Sequence, residues 1–368
     1  MALAKYKLGD ITIPYSKKCG ISNLTPYQIS GVNKDKEFFE PSHQVGGDTS
    51  KYQVVPQSHF ACNLMHVGRD QILPIAYNHS DCEKIVSPAY SVFSLKESCG
   101  ILDDYFFIML KCKELDRYFW FHADASVRDG MSWSDFCDVE VTVPDLSTQQ
   151  KYVDIYKAMV ANQRCYERGL EDLKLVFTGY IEDLREQSSL KRIGDYITPF
   201  NEKNTDESIT LEQGINIEKK FITPQRSNSN LQGRKIVRQG QFAYCTQLNN
   251  ANVAIAYRDE CDCVVSSVYD VFEITKKEEL LPEYLLMWLI RPEFGRFVYW
   301  ASEGSAYEFL NYNNLANYMI PVPDINIQRA IADIYNAYTT RKQLNEQLKA
   351  QIKDMCPILI RGSLEEGK

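Results

Sequence analysis

The chain contains no apolar run approaching the ~18 residues a membrane-spanning helix requires, which excludes a helical membrane protein. Its first residues, Met1-Ala2-Leu3-Ala4-Lys5, lack a sustained apolar stretch followed by a small-residue cleavage site, so a cytoplasmic protein is expected. Histidine is sparse and lopsided. His43, His59, His66, His79 and His122 all fall in the first half, which excludes a histidine-based active site shared by both halves. Cysteine is plentiful, at 11 residues, but metal-binding spacing is missing: there is no paired C-x-x-C ribbon and no Cys/His finger. Cys261-Asp262-Cys263, the one close pair, reads as a strand whose thiols point alternately in a reducing cytosol. No G-x-x-x-x-G-K-[ST] loop is present, so the chain itself is not expected to hydrolyse ATP.

What is present is a repetition. Val143-Pro144-Asp145 returns as Val322-Pro323-Asp324, 179 residues later, and Gln149, Asp154-Ile155-Tyr156 and Ala158 return at the same offset as Gln328, Asp333-Ile334-Tyr335 and Ala337. The register also holds backwards, through Val86-Ser87, Tyr90 and Val92-Phe93 against Val265-Ser266, Tyr269 and Val271-Phe272. Further upstream the offset drifts to 185, where Gly9-Asp10 matches Gly194-Asp195, as a few loop insertions would cause. A period of that size is a duplicated domain with its appended helix, not a solenoid or a propeller. The length of 368 residues independently suggests two domains at about 150 residues each. A hydrophobic content of 44% is enough for each to bury a core.

Taken alone, a net charge of −8 argues against a polyanionic partner. Its distribution does not. From Lys219 to Arg258 there is no Asp or Glu, while Lys219, Lys220, Arg226, Arg234, Lys235, Arg238 and Arg258 fall inside. The corresponding stretch of the first half, Pro41 to Arg69, holds Asp48 as its one acid. A charge run is often a solvated face, but recurrence in both halves favours a functional one.

Each half opens with Gly-Asp and a short β-like run, Ile11 to Pro14 or Tyr196 to Pro199. Segments rich in β-branched and aromatic residues follow, notably Lys51 to Val55, Ile72 to Tyr77 and Tyr90 to Leu95, then Arg234 to Val237, Val253 to Tyr257 and Val268 to Ile274. Helical spacing appears at Leu281 to Ile290, behind Pro282. The mixture predicts an α+β fold. Beyond each Val-Pro-Asp lies a long amphipathic helix. The first is expected to be capped by Ser147, to reach about Gln187, and to bury Ile155, Met159, Tyr166, Leu170, Leu173, Phe177, Tyr180 and Leu184. The second is expected from about Asn326 to Ile360, burying Ile331, Ile334, Tyr338, Leu344, Leu348, Ile352, Met355 and Leu359, with Pro357 bending its end. A stripe sustained over that length predicts an antiparallel coiled coil relating the halves by a pseudo-two-fold axis. The expected organisation is therefore a domain over residues 1–146, a helix over 147–188, a second domain over 189–324, a helix over 325–361 and a tail over 362–368.

Two domains, each followed by a long helix introduced by Pro-x-x-x-x-Gln, resemble the DNA specificity subunit of type I restriction-modification systems. The resemblance spans the whole chain. It rests on Pro144 with Gln149-Gln150, Pro323 with Gln328, the Gly-Asp pairs at Gly9 and Gly194, and Gly304-Ser305; in the first half Ala125, followed by Ser126 and Arg128, stands where that glycine would be. It implies two target recognition domains, each reading one half of a bipartite, asymmetric site on double-stranded DNA, with the helices setting the unread spacer. It also implies two methyltransferase subunits clasping this chain, and nuclease-translocase subunits completing the complex. S-adenosylmethionine, ATP and Mg would reside on those partners, and this chain would hold no cofactor. In keeping with that, the Asn/Asp-Pro-Pro-Tyr/Phe segment of adenine methyltransferases is absent, so the chain is expected to be non-catalytic.

Arg, Lys, Asn and Gln make most contacts to phosphates and base edges; the residues nominated are Lys51, Arg69 and Arg128 in the first domain and Arg226, Asn228, Arg234, Lys235 and Tyr307 in the second. Gln149, Gln163, Gln328 and Gln343 are the candidates for contact with methyltransferase subunits. Trp120, Trp133, Trp288 and Trp300 are expected in the core. Two other readings fit the same residues: the specificity subunit of a related type II system with fused methylase and nuclease, and a coiled-coil scaffold that never meets DNA. The acid-free segment weighs against the scaffold.

Overall fold

The computed structural model describes residues 3–40, 47–123, 130–216, 218–224, 230–248, 253–302 and 309–368. The chain divides into two compact units, one of Met1–Tyr166 with Leu344–Lys368 and the other of Glu167–Gln343.

In the first unit the strands are β1 (Ala4–Lys7), β2 (Thr12–Tyr15), β3 (Gly31–Val32), β4 (Phe38–Phe39), β5 (Gln53–Val55), β6 (Phe60–Cys62), β7 (Ile75–Tyr77), β8 (Lys84–Val86), β9 (Ser91–Leu95) and β10 (Glu140–Val143). Its helices are α1 (Leu8–Ile11), α2 (Val67–Asp70), α3 (Asp103–Leu110), α4 (Lys113–Phe121) and α5 (Trp133–Asp138), before the long α6 (Leu146–Gln187) leaves the domain. The second unit carries β11 (Leu190–Arg192), β12 (Ile197–Phe200), β13 (Gly214–Ile215), β14 (Phe221–Ile222), β15 (Lys235–Val237), β16 (Gln241–Cys245), β17 (Ile255–Tyr257), β18 (Cys263–Val265), β19 (Tyr269–Ile274) and β20 (Met319–Pro321). With them go α7 (Pro282–Leu289), α8 (Pro292–Ser302) and α9 (Tyr312–Ala316), followed by the long α10 (Ile325–Glu366).

The fold is α+β, and the two units pair their strands identically. A four-stranded antiparallel sheet runs β2-β9-β6-β7 in one and β12-β19-β16-β17 in the other. Two-stranded sheets β1-β10, β3-β4 and β5-β8 are matched by β11-β20, β13-β14 and β15-β18. Even the register is kept: Thr12 faces Leu95, and Ile197 faces Ile274. On the inner face of each large sheet two phenylalanines stack, Phe60 on Phe93 and Phe242 on Phe272, with ring centroids 5.2 and 4.9 Å apart. Helices α3 and α7 lie over these rings and are apolar around most of their circumference, as a helix enclosed by its own domain must be.

The Gly-Asp pairs have a steric cause. A side chain on Gly9 would put its Cβ 2.9 Å from Cys137 Cβ, at the end of α5. On Gly194 it would lie 2.8 Å from Ala316 Cβ, at the end of α9. Cys137 and Ala316 are themselves 179 apart, so glycine is retained because the same short helix presses on the same turn in both units.

Pro-x-x-x-x-Gln also has a physical account. Gln149 sits four residues into α6 with its side chain turned back on the helix root. Its Oε1 accepts from the Leu102 amide at 2.9 Å, and its Nε2 donates to the carbonyls of Gly100 and Pro144 at 2.9 and 2.8 Å. Gln328 repeats all three bonds with Leu281, Glu279 and Pro323, at 3.0, 2.7 and 2.9 Å. Both glutamines are 0% exposed, so they clamp each helix to its own domain, and the expectation that they face methyltransferase subunits is corrected. The N-cap is Asp145, whose Oδ1 accepts from the Thr148 amide at 3.0 Å, rather than Ser147. Asp324 serves α10 in the same way through the Asn326 amide.

Within the first unit, the start of α6 runs antiparallel to the end of α10: Lys151 pairs with Glu366, and Gln163 donates to Asn345 at 3.0 Å. Gln163 is thereby buried in the helix seam, which also withdraws it as a partner-facing residue, whereas Gln343 is exposed. In the second unit Phe177 packs on Tyr335, and Gly169 lies against Arg341. The buried line of α6 runs through Gln149, Val153, Gln163 and Ile181, one step out of phase with part of the expected stripe. Ile155, Tyr166 and Tyr180 are exposed because polar Gln149 and Gln163 occupy inward positions. Leu344 is exposed for the same reason, beside inward-facing Asn345.

The expected tail over 362–368 is helix up to Glu366. Pro357 removes one intrahelical hydrogen bond, a cost of about 3 kcal/mol, yet the helix continues through it. The residues around and beyond it are held by the domain: Cys356 and Ile360 join the core, Ser363 bonds Tyr105 Oη at 2.7 Å, and Glu366 accepts from Lys151 and Tyr152.

Candidate nucleic-acid interface

The acid-free segment is not a bare cationic surface once folded. Arg234 Nη2 lies 3.4 Å from Glu212, and Lys235 Nζ donates to Asp270 and to the Tyr269 carbonyl. Arg238 is held between Glu202 and Asp262, whose hydrogen bonds push its pKa above the ordinary arginine range. Arg258 is 1% exposed, bonded to the Cys261 carbonyl and Gln213, and lies over the Phe221 ring. Acids distant in sequence supply the counter-charges. Strand pairing thus brings Glu202, Glu212, Asp262 and Asp270 alongside Arg234, Lys235 and Arg238, so these cations are charge-paired.

Lys219 has a different task. It occupies the tip of the β13-β14 hairpin at φ +62°, and its ammonium donates to the Leu289 carbonyl at the end of α7, at 3.2 Å. Lys36 does the same at the β3-β4 tip, at φ +64°, donating to the Leu110 carbonyl at the end of α3, at 2.6 Å. A cation at a helix C-terminus meets the negative end of the helix dipole and satisfies an orphan carbonyl. Lys36 also pairs with buried Asp116. Gly295 stands at the equivalent position in the second unit; burial pulls the Lys219 pKa down to about 8, and it lowers that of Lys36 as well, against the opposing pull of Asp116.

Beside β12 and β15, Pro199, Phe200, Asn201, Lys235, Tyr244, Asp270, Val271 and Tyr312 line a recess of about 160 Å³. The register shared by the two units makes its polar lining directly comparable with the first unit. There Ser16, Gln53, Cys62, Ser91 and Trp133 stand in place of Asn201, Lys235, Tyr244, Asp270 and Tyr312. One frame thus places different residues at matched positions, with Cys62 fully buried in the first unit. Gln53 Oε1 is buried and has no hydrogen-bond partner among the described residues. Flanking these positions are two exposed lysines that sequence reasoning missed, Lys18, bridged to Gln53, and Lys203, bridged to Lys235. Their offset of 185 is that of Gly9 and Gly194, a signal that was available.

Among the other candidates, Lys51 is exposed just before β5 and makes no ion pair among the described residues. Arg69 is exposed and forms a two-pronged pair with Asp70, both bonds at 3.1 Å. Arg128, Arg226, Asn228 and Tyr307 lie outside the described residues, as do Ala125-Ser126 and Gly304-Ser305. Trp288 lies in the core of the second unit and Trp133 packs half-buried against the core of the first, but Trp120 and Trp300 are exposed, a correction to their expected burial. On α4 and α8 the inward positions are taken by Phe119 and by Phe294 with Val298, leaving the tryptophans on the outer face.

Residues 186–354 match the family of Type I restriction modification DNA specificity domains. The fold resembles that of an S subunit of a type I restriction-modification system from M. genitalium, at 10% identity and a TM-score of 0.59, covering 99% of this chain and 96% of the other. It also resembles a chain from a structural study of complex assembly and conformational transition in the type I R-M system, at 13% identity and a TM-score of 0.51, covering 98% and 97%. No curated protein matches the chain.

Proposed function

We propose that this chain, whose residues 186–354 match the type I restriction modification DNA specificity domain, is the sequence-reading subunit of a restriction-modification complex, each unit contacting one half of a bipartite, asymmetric DNA target. The observation that carries this reading is the pair of matched frames with unlike residues. A single fold repeated with Lys235 and Asp270 in one copy and Gln53 and Ser91 at the matching positions of the other suits two readers of different base sequences. Lys18, Lys203 and Lys51 would supply phosphate contacts that position each reader without specifying a sequence.

The long helices would set the unread spacer and help to dock methyltransferase subunits. At 42 residues each, they are about 63 Å long by the rise of an α-helix, which leaves room for half-sites about one DNA turn apart. Methyl transfer, ATP hydrolysis and cleavage would belong to methyltransferase and nuclease-translocase partners, with S-adenosylmethionine, ATP and Mg bound there. The match to the type I family favours this arrangement over a fused type II system or a scaffold.

The test is to co-express the chain with its methyltransferase partner and map methylated adenines across a genome. A two-part motif with a fixed unread gap is expected, and exchanging residues 190–321 for those of a relative should change one half of it only. A continuous motif, or methylation independent of this chain, would overturn the reading.

A further inference from the structure

The outer faces of α4 and α8 repeat one another where the fold gives no reason to. Glu114, Arg117, Trp120 and Phe121 return 179 residues later as Glu293, Arg296, Tyr299 and Trp300. The other repeats described above have internal causes: the glycines are crowded by a short helix, the glutamines clamp helix roots, and the hairpin lysines cap helix ends. The aromatic and arginine positions instead face outward, with Phe121 81% and Trp300 70% exposed, while Glu293 is half-buried between Arg291 and Arg296. In the first unit Glu114, Arg117, Tyr118, Trp120 and Phe121 line an open recess of about 600 Å³.

We infer that these two faces are equivalent docking surfaces for two copies of one protein partner, which on the function proposed above is the methyltransferase subunit. Readers of an asymmetric target have to differ, and the residues at the positions matching the second-unit recess do differ. A surface that recurs matches a partner that recurs. The chemistry also favours protein over nucleic acid: each face sets aromatic rings beside a carboxylate and an exposed guanidinium, and Glu293 pairs with Arg296 at 3.1 Å and with Arg291 at 3.2 Å. A carboxylate at the contact would oppose phosphate, whereas an aromatic centre with an arginine and mixed charge at its rim is the usual make-up of a protein interface. A buried aromatic ring removes roughly 150–250 Å² from water, so two per face would make up a central anchor of a standard interface with about 800 Å² on each side. The matching partner surface is an apolar recess with an acid placed for Arg117 or Arg296.

Native mass spectrometry of the co-expressed complex tests this. The parent chain should carry two partner subunits. Trp120→Ser with Phe121→Glu should lose one, Tyr299→Ser with Trp300→Glu the other, and the four changes together should lose both or weaken uptake at least about tenfold. Tyr27→Ser, at a ring 82% exposed elsewhere in the first unit, should keep two. The milder Phe121→Ala and Trp300→Ala, with far-ultraviolet circular dichroism unchanged, separate lost docking from lost folding. Variants that retain both partners overturn the inference, as do variants that keep both partners but lose affinity for duplex DNA. A parent chain that methylates a two-part motif yet takes up its partners elsewhere overturns it alone; a parent chain that takes up no partner overturns the proposed function as well.

Discussion

Gln149 and Gln328 show how one side chain can root an element. Each satisfies two carbonyls and one amide of its own domain from a fully buried position, so its removal strands groups that water cannot reach. Gln328→Ala is expected to destabilise the second unit by about 2–4 kcal/mol, because each unsatisfied buried group costs about 1–3 kcal/mol and neighbouring losses are not additive. Urea unfolding followed by Trp288 fluorescence checks it, and a change below about 0.5 kcal/mol would mean that the clamp is dispensable. The recurrence of these residues was readable, but their direction was not. Spacing alone cannot separate a glutamine facing outward from one turned back on the first turn of its own helix. The same holds for Arg234, Lys235 and Arg238, whose counter-charges Glu212, Asp270, Glu202 and Asp262 become neighbours only through strand pairing.

At the scale of elements, the strands with strong β-branched or aromatic content, β5, β7, β9, β15, β17 and β19, coincide with segments the composition marks out. The two-residue strands of the β3-β4 and β13-β14 hairpins do not, since their pairing depends on lysines held at positive φ by a distant helix end. The long helices were legible from periodicity. Their phase was not, because inward-facing Gln149, Gln163, Gln328 and Asn345 are polar and hide the seam from an apolar pattern. Within α6, Gly179 is exposed and nothing lies within 4 Å of a Cβ built there, so the glycine has no steric purpose among the described residues. Gly179→Ala should stabilise the helix by about 0.5–1 kcal/mol through backbone propensity. A lowered melting temperature would show that this position carries a contact or a bend.

For the whole chain, the duplication is what the sequence displays most plainly, and every strand pairing of one unit recurs in the other. The distribution of charge was the misleading signal: absence of acids along a segment says nothing about acids across a sheet. On the proposed function, adding four residues to both α6 and α10 lengthens each by about 6 Å and should widen the unread gap by roughly one or two base pairs. Mapping methylated adenines for the lengthened chain reads this directly, and an unaltered gap would separate the helices from any measuring role.

The Gln163–Asn345 hydrogen bond has a consequence for how a nearly self-similar polypeptide avoids confusing its own parts. The positions 179 residues away are Lys342 and Tyr166, so the amide pair has no echo and marks the two helices as different. A buried amide without its partner costs about 1–3 kcal/mol, which penalises mismatched assembly, such as two first helices from separate molecules joining in place of the proper couple. A polar contact buried between α6 and α10 is thus expected to favour this pairing over the exchange of arms with a neighbour, which size-exclusion chromatography of Gln163→Leu with Asn345→Leu would read as a rise in dimer.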